Sequence, residues 1–400
     1  MATPTHVYLD LDVRNDDVET VSSPPPLNFD ETRLHPFLNG DASDYFCTIA
    51  RFTLDTSNSI PVFIPEMDIS QTNPNNTIYS ISFLRVVDTS GNPINAPETS
   101  PVNLITARVM YEPSDKTISP PSFPDKVYDP SSMYYHVHSY QRFVDMINTT
   151  FQTLFNNIVQ VGGDHYSPPF MEWDNNSYTA SIHVDPWYFD TTPSNQFLGS
   201  SGFSGSNVKY EMYFNTRLYQ LFNTLPATFK NATGNLNYRM DIFAKPNNTT
   251  RLPVNDANGN QLYLIQMSQE ISTISNMSPL DSIVFTSTSL PIHASLSSSP
   301  KIISSTNRTT SGNGLPNITN VLTDFQIALS AANHYKPAIS YVPQGEYRLV
   351  DMYGNKDLSR IDLQVFWKDK KGVLHPMLLY PGCSASVKFL FRLKRFYLGD

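Results

Sequence analysis

Charge is scarce in this chain. Only 16% of its 400 residues are Asp, Glu, Lys or Arg, although 40% are hydrophobic. The polar surface must come instead from Asn, Ser, Thr, Gln and Tyr. Cysteine is scarcer still, with Cys47 and Cys383 alone. Two cysteines in strand-like surroundings make no disulfide framework, and buried free thiols are expected. Long apolar runs are missing, which excludes a helical membrane span. Residues 1–14 have neither a basic start nor an apolar run, so synthesis in the cytosol is the expectation. Positive charge is outnumbered: 27 Lys and Arg face 36 Asp and Glu, for a net charge of −9. A protein that coats nucleic acid through its phosphates would be basic or carry a basic arm.

Signatures of catalysis are missing too. The chain has no P-loop and no Gly-x-Gly-x-x-Gly. Gly202-Phe203-Ser204-Gly205 departs from the nucleophile-elbow spacing and sits in linker-like sequence. Gly162-Gly163 follows a helical pattern, where helix termination explains it. His136-Val137-His138 puts two imidazoles on one strand face, with no third ligand nearby in sequence. Glu172, Asp174 and Asp185 lie close to Trp173 and Trp187, a combination that would suit a glycan cleft. Asp10, Asp12, Asp16 and Asp17 lack the pattern of a calcium loop and read as a solvated acidic arm. Arg392 to Tyr397 interleaves bases with aromatics only weakly. No catalytic, cofactor-binding or metal-ligating residue is assigned, no cofactor is expected, and the chain reads as a non-enzyme.

Aromatics and proline are abundant, with 24 Phe, 22 Tyr and 31 Pro. Aromatics favour strands, and Pro with Asn favours the short connections between them. The expectation is an all-β protein of some fourteen strands with long ordered loops. Val7–Val13 reads as a first strand with its acidic side outward, and Ile78–Val87 alternates with period 2. Tyr45–Leu54 is largely apolar on both faces, as in a central strand. Leu104–Tyr111, Phe170–Trp173, Tyr178–Val184 and Val208–Phe214 are further strands. Ile60–Ile64, between prolines, suits a sheet edge. Leu236–Ala244 is expected to pair with Gln261–Met267, and Ser282–Thr286 and Val321–Leu329 are further strands. The C-terminal stretch from Ile361 to Leu393 reads as a meander of antiparallel strands, with Asp369-Lys370-Lys371-Gly372 and Pro381-Gly382 at its joints.

Two helices interrupt the strands. After Ser139, the residues Phe143, Met146, Ile147, Thr150, Phe151, Leu154 and Ile158 recur at helical spacing. Asn215–Phe222 is a second, shorter helix. The composition divides the chain into an extended N-terminal arm (1–30), a β half (31–190), a flexible linker or loop (191–207) and a second β half (208–400). The arm is polar and Pro-rich and is expected to order against a neighbouring copy. Residues 344–400 hold ten Lys and Arg against six acids. This charge dipole suits contact between copies, or a patch facing a genome.

Five segments carry a resemblance. They are Asp44–Pro65 (DYFCTIARFTLDTSNSIPVFIP), Tyr134–Phe151 (YYHVHSYQRFVDMINTTF), Tyr213–Pro226 (YFNTRLYQLFNTLP), Ser278–Ile292 (SPLDSIVFTSTSLPI) and Glu346–Leu379. Together they resemble jelly-roll capsid proteins of double-stranded DNA viruses of the Polinton, adintovirus and virophage group, minor (penton-like) or double jelly-roll major. The resemblance implies a jelly-roll sandwich or barrel, either single or as two β-domains in tandem. It implies a structural protein that self-assembles into an icosahedral shell and resides in the virion. The partners implied are other copies, as pentamer or trimer, and other capsid proteins, with no sequence-specific nucleic-acid binding. A non-enzymatic attachment or glycan-binding β-sandwich is the alternative.

Overall fold

In the computed structural model the described residues are 5–17, 24–55, 60–88, 92–114, 116, 119–121, 133–158, 167–185, 188, 209–242, 249–255, 261–293, 295–296, 301–302, 310–311, 318–326, 338–343, 348–355 and 357–394. In chain order the strands begin with β1 (His6–Arg14), β2 (Asn28–Thr32) and β3 (Tyr45–Asp55). Then come β4 (Asn76–Arg85), β5 (Leu104–Met110), helix α1 (Tyr140–Asn157), β6 (Phe170–Asp174), β7 (Thr179–Val184) and β8 (Tyr210–Phe214). Helix α2 (Thr216–Leu221), β9 (Ala227–Phe229), β10 (Tyr238–Met240), β11 (Thr249–Asn255), β12 (Gln261–Ser268) and α3 (Ile274–Met277) follow. Next are β13 (Leu280–Thr286) and two small ladders, in which β14 (Ser295–Leu296) pairs β17 (Ile318–Thr319) and β15 (Lys301–Ile302) pairs β16 (Thr310–Ser311). The chain closes with β18 (Val321–Gln326), β19 (Ala338–Tyr341), β20 (Val350–Asp351), β21 (Arg360–Asp369), β22 (Leu374–Pro376) and β23 (Ser384–Leu393).

These elements form two compact units. The first joins residues 1–60 to 279–400, and the second is the continuous stretch 61–278. This division differs from the expected halves 31–190 and 208–400. Strand pairing, not composition, sets it: β1 and β2 find partners more than 300 residues away. The expected linker 191–207 lies outside the described residues.

Unit 1 is a two-sheet sandwich. One sheet has the order β1-β23-β3-β19, with β20 also on β3, and the other has β18-β13-β21-β2, with β22 also on β21. The chain passes from one sheet to the other at β1 to β2, β2 to β3, β3 to β13, β18 to β19, β20 to β21 and β22 to β23. Alternating between sheets in this way wraps the chain into an eight-position jelly roll. Its core follows from the alternation: Leu9, Leu11, Phe52, Leu54, Val387, Phe389 and Phe391 from one sheet are buried, as are Phe29, Ile283, Phe285, Leu363, Val365 and Trp367 from the other. The sheets meet where Phe52 packs edge-on against Phe285, with centroids 4.9 Å apart. Cys47 and Cys383 are both buried and free. Burial pushes the Cys47 thiol up to about 12, so it stays protonated and unreactive.

Two expectations change here. The N-terminal arm is no loose extension, because β1 pairs with β23 through nine consecutive residues and β2 pairs with β21 through five. The acidic positions Asp10 and Asp12 face outward, while Leu9 and Leu11 fill the sandwich. The C-terminal meander is also interrupted. Strands β21 and β22 form the expected hairpin, with Gly372 at φ +84° in its turn. Beyond Gly382, at φ +79°, β23 enters the opposite sheet between β1 and β3. Period-2 patterning reports which face is buried, not which sheet a strand joins.

Unit 2 is built around α1. The expected residues Phe143, Met146, Ile147, Thr150, Phe151 and Leu154 are buried on one face of that helix. They pack between a sheet of order β5-β4-β8-β10-β9 and one of order β11-β12-β7-β6. Phe151 contacts Phe83 and Phe214, and Tyr140 stacks on Trp173 with centroids 4.7 Å apart. Asn215 caps α2, its side chain accepting from the Leu218 amide. Residues 236–244 do not pair with 261–267. Strand β10 lies between β8 and β9, and β12 lies between β11 and β7, because the nearer segment 249–255 folds back on β12 first. Ile60–Ile64 makes only a bridge, between Phe63 and Val137.

Candidate assembly surfaces

The histidines, acids and tryptophans that stand out in the sequence lie apart in the structure. His136 and His138 belong to unit 2, with ring centroids 6.1 Å apart, and His136 is buried. Among the described residues, no group of three or more His, Cys, Asp or Glu is placed to hold a metal ion. Trp173 points into the core of unit 2, while its neighbours Glu172 and Asp174 face the other way. A tryptophan-lined cleft with these acids is therefore not formed at Trp173. Trp187 and Gly202–Gly205 lie outside the described residues, as does Arg395 onward.

What unit 1 presents instead is surface of two kinds. One end of the jelly roll gathers the turns after β2, β13 and β20. These turns are bound to each other through the backbone: Arg33 N to Ser359 O at 2.9 Å, Phe37 N to Leu358 O at 2.7 Å, Ser43 N to Gly354 O at 3.0 Å and Tyr353 N to Pro291 O at 2.9 Å. On this rigid base Leu34 is 99% exposed, and Tyr353 is 48% exposed and stacked on His293. A leucine held so far out has no packing role within its own chain.

A buried carboxylate fixes the same end. Asp362 on β21 accepts from the hydroxyls of Ser287, Thr288 and Ser289 at 2.6–2.7 Å and from the amides of Thr288 and Ser289. Burial opposes its ionisation, but the hydrogen bonds from Ser289, Thr288 and Ser287 outweigh burial and hold the carboxyl well below the usual carboxylate range.

The second surface is the outer face of the β1-β23-β3 sheet. Register sets Asp10 beside Lys388, and Lys388 beside Arg51. Asp10 bridges Lys388 at 3.2 Å and Arg51 at 3.5 Å, and Lys388 lies over the exposed Tyr8 ring. Further along, a cavity of about 390 Å³ is lined by Asp12, Val13, Arg14, Thr53, Ser384, Ala385 and Ser386. Strands β1, β3 and β23 hold these side chains in place.

A family model described as Sputnik minor capsid protein V18/19 matches residues 7–393. The chain belongs to this family. It is a minor capsid protein, a structural component of the virion. Structural protein V19 of Sputnik virophage is 26% identical over 222 residues, 55% of this chain and 91% of V19. Uncharacterized protein V18 of the same virophage is 32% identical over 131 residues, 30% of this chain and 68% of V18. A chain in the 3.5 Å cryo-EM structure of the Sputnik virophage superposes with a TM-score of 0.77 at 26% identity, covering 98% of this chain and 99% of that one. The crystal structure of the mavirus penton protein gives a TM-score of 0.57 at 15% identity, covering 97% and 99%, a likeness of fold alone.

What sets Leu34 apart is its exposure. Nothing in the pattern Arg33-Leu34-His35 separates a displayed leucine from a buried one.

Proposed function

We propose that this minor capsid protein is a penton-like vertex component that assembles as a ring of five copies. The carrying observation is the division of its length. Unit 1 uses residues from both ends of the chain for one jelly roll, and the sheets of unit 2 follow a different strand order. A double jelly-roll major capsid protein would repeat the first order in a second barrel, and that arrangement favours trimers. Its likeness in fold to the mavirus penton protein supports the same choice. A heterologous interface that closes on itself uses two different patches of each copy. The rigid loop end with Leu34 and the charged β1-β23-β3 face are two such patches.

In this reading the chain is not an enzyme. Its partners are further copies of itself and the other proteins of the shell, and it reads no nucleic-acid sequence. The acidic balance of the chain supports that last point, since a net charge of −9 disfavours direct phosphate contact.

Light scattering on the purified chain, followed by imaging, tests the proposal. Five copies per particle is the expected mass. A stable trimer would move the protein to the faces of the shell, and a strict monomer at high concentration would remove the ring.

A further inference from the structure

Unit 2 carries a polar sheet face of its own, on the β11-β12-β7-β6 sheet. Strands β12, β7 and β6 lie side by side, and their outward residues fall into rows set by register. Gln266, His183 and Phe170 form one row, and Ser268, Ser181 and Glu172 form the next. Phe170 is 38% exposed, and its ring stacks on the His183 imidazole at 4.7 Å and 9°. His183 is buried, and its Nε2 lies 3.0 Å from Glu172 Oε2. A carboxylate can only accept, so Nε2–H donates. Burial pushes the His183 pKa down, which keeps the ring neutral and its tautomer set by this bond. Glu172 itself stays open to solvent, its side chain 66% exposed. Ser181 and Ser268 share a hydrogen bond at 2.8 Å, and the Gln266 amide reaches both hydroxyls at 3.3–3.4 Å.

From this juxtaposition we infer that the outer face of the β12-β7-β6 sheet binds a neutral saccharide, with Phe170 as the stacking platform and Glu172 as the hydroxyl acceptor. The inference goes beyond the vertex reading and does not depend on it. An aromatic face takes the C–H side of a pyranose. A carboxylate held by a buried partner accepts hydroxyls without losing side-chain freedom on binding. The Ser181, Ser268 and Gln266 groups can each donate or accept, as a polyol requires. Neighbouring strands lie about 4.8 Å apart, so the three strands span roughly 10 Å, which suits a disaccharide. The charged groups in these rows and at the adjoining Asp174 are acidic, which disfavours sialylated or sulfated sugars. The sequence placed glycan chemistry near Glu172 but paired it with Trp173. Alternation along β6 sends Trp173 inward and puts Phe170 beside Glu172.

The test uses the whole purified chain and four neutral disaccharides (lactose, maltose, cellobiose and chitobiose), with sialyllactose as the anionic probe. Saturation-transfer NMR reports binding. At least one neutral disaccharide is expected to bind, with affinity falling at least fivefold in both Phe170→Ala and Glu172→Gln. Phe229→Ala, an exposed aromatic on the other sheet of unit 2, should leave binding unchanged. Glu172→Gln keeps the shape of an exposed side chain, so it reads the site even if Phe170→Ala fails to fold. The inference is overturned if no neutral disaccharide binds, if binding is unchanged in either folded variant, or if sialyllactose binds as tightly as lactose.

Discussion

The two units solve the same problem with opposite use of the chain. Unit 2 is continuous in sequence and is organised by an 18-residue helix whose buried face meets strands from both of its sheets. Unit 1 is closed by pairings between its first and last residues, β1 with β23 and β2 with β21. Contacts so distant in sequence carry a large loop-closure cost before they stabilise anything. The jelly roll therefore cannot complete until the last strand is available, whereas unit 2 holds all of its own core. The lesson is that chain position says little about structural role here. The polar N-terminus, which composition marks as an arm, supplies two strands to the sandwich.

Deletion of residues 2–32 should have the largest effect. The deletion removes β1 and β2 and takes Leu9, Leu11, Leu27 and Phe29 out of the core. Each buried side chain of this kind is worth about 1.5–3 kcal/mol, so the loss rivals the roughly 5–15 kcal/mol stability of a whole domain. Unit 1 should fail to fold, while unit 2 keeps its transition. Limited proteolysis with mass spectrometry should then recover a protected fragment close to residues 61–278. A deletion variant that retains a protected unit 1 would restore the arm to the status its composition suggests.

Single cavities should act on one unit at a time. Trp367 is buried in unit 1 and stacks on His375 at 4.0 Å, while Phe151 is buried in unit 2 between Phe83 and Phe214. Truncation of either to Ala should cost about 3–5 kcal/mol. Differential scanning calorimetry should show Trp367→Ala lowering one transition and Phe151→Ala the other. If both variants shift a single shared transition, the units fold as one cooperative block.

A carboxylate offers a finer probe of unit 1 alone. Asp362→Asn removes the charge that the Ser287–Ser289 turn surrounds with hydroxyls and amides. Hydrogen bonds to a charged group are worth about 1.5–3 kcal/mol each, and the amide retains part of the network, so a loss of about 2–3 kcal/mol is expected at pH 7. The folded-state pKa is depressed, so the stabilisation is present above the unfolded value near 3.9 and fades as pH falls below it. Urea titrations at pH 7 and pH 3 should show the gap between native and variant narrowing at pH 3. A gap that stays constant would mean that shape, not charge, holds the turn.

Much of this architecture was legible in the residues, and the failures share one cause. The period of α1, the apolar run of β3, the alternation in β21 and β23, and the turn at Gly372 were all readable, because each depends on neighbours within a few positions. The partner of a strand depends on residues far away. Alternation in β23 marks Val387, Phe389 and Phe391 as inward without saying that their sheet is the one opposite β21. The glycan chemistry near Glu172 shows the same limit at shorter range. Trp173, one residue on, is the larger aromatic, but period 2 gives it to the core, and Phe170, two residues back, shares the face of Glu172. For Leu34 no local pattern distinguishes display from burial, and only the backbone bonds among three turns reveal it.

The smallest effect belongs to the outer face of the β1-β23-β3 sheet, and its smallness is informative. Lys388 bridges Asp10 at 3.2 Å with both side chains partly in solvent. Pairs of this kind contribute about 0.2–1 kcal/mol and weaken as salt screens them. Lys388→Ala should therefore shift the urea midpoint of unit 1 only slightly, and the shift should vanish in about 1 M salt. If this face is one of the two patches that close a ring, the same substitution should lower the pentamer fraction in light scattering far more than it lowers stability. Assembly at the native level with stability slightly reduced would assign the Lys388–Asp10 pair to the monomer. The Leu34 end would then meet a different patch of the next copy, and the corresponding substitution, Leu34→Asp, should lower the pentamer fraction while costing the fold almost nothing.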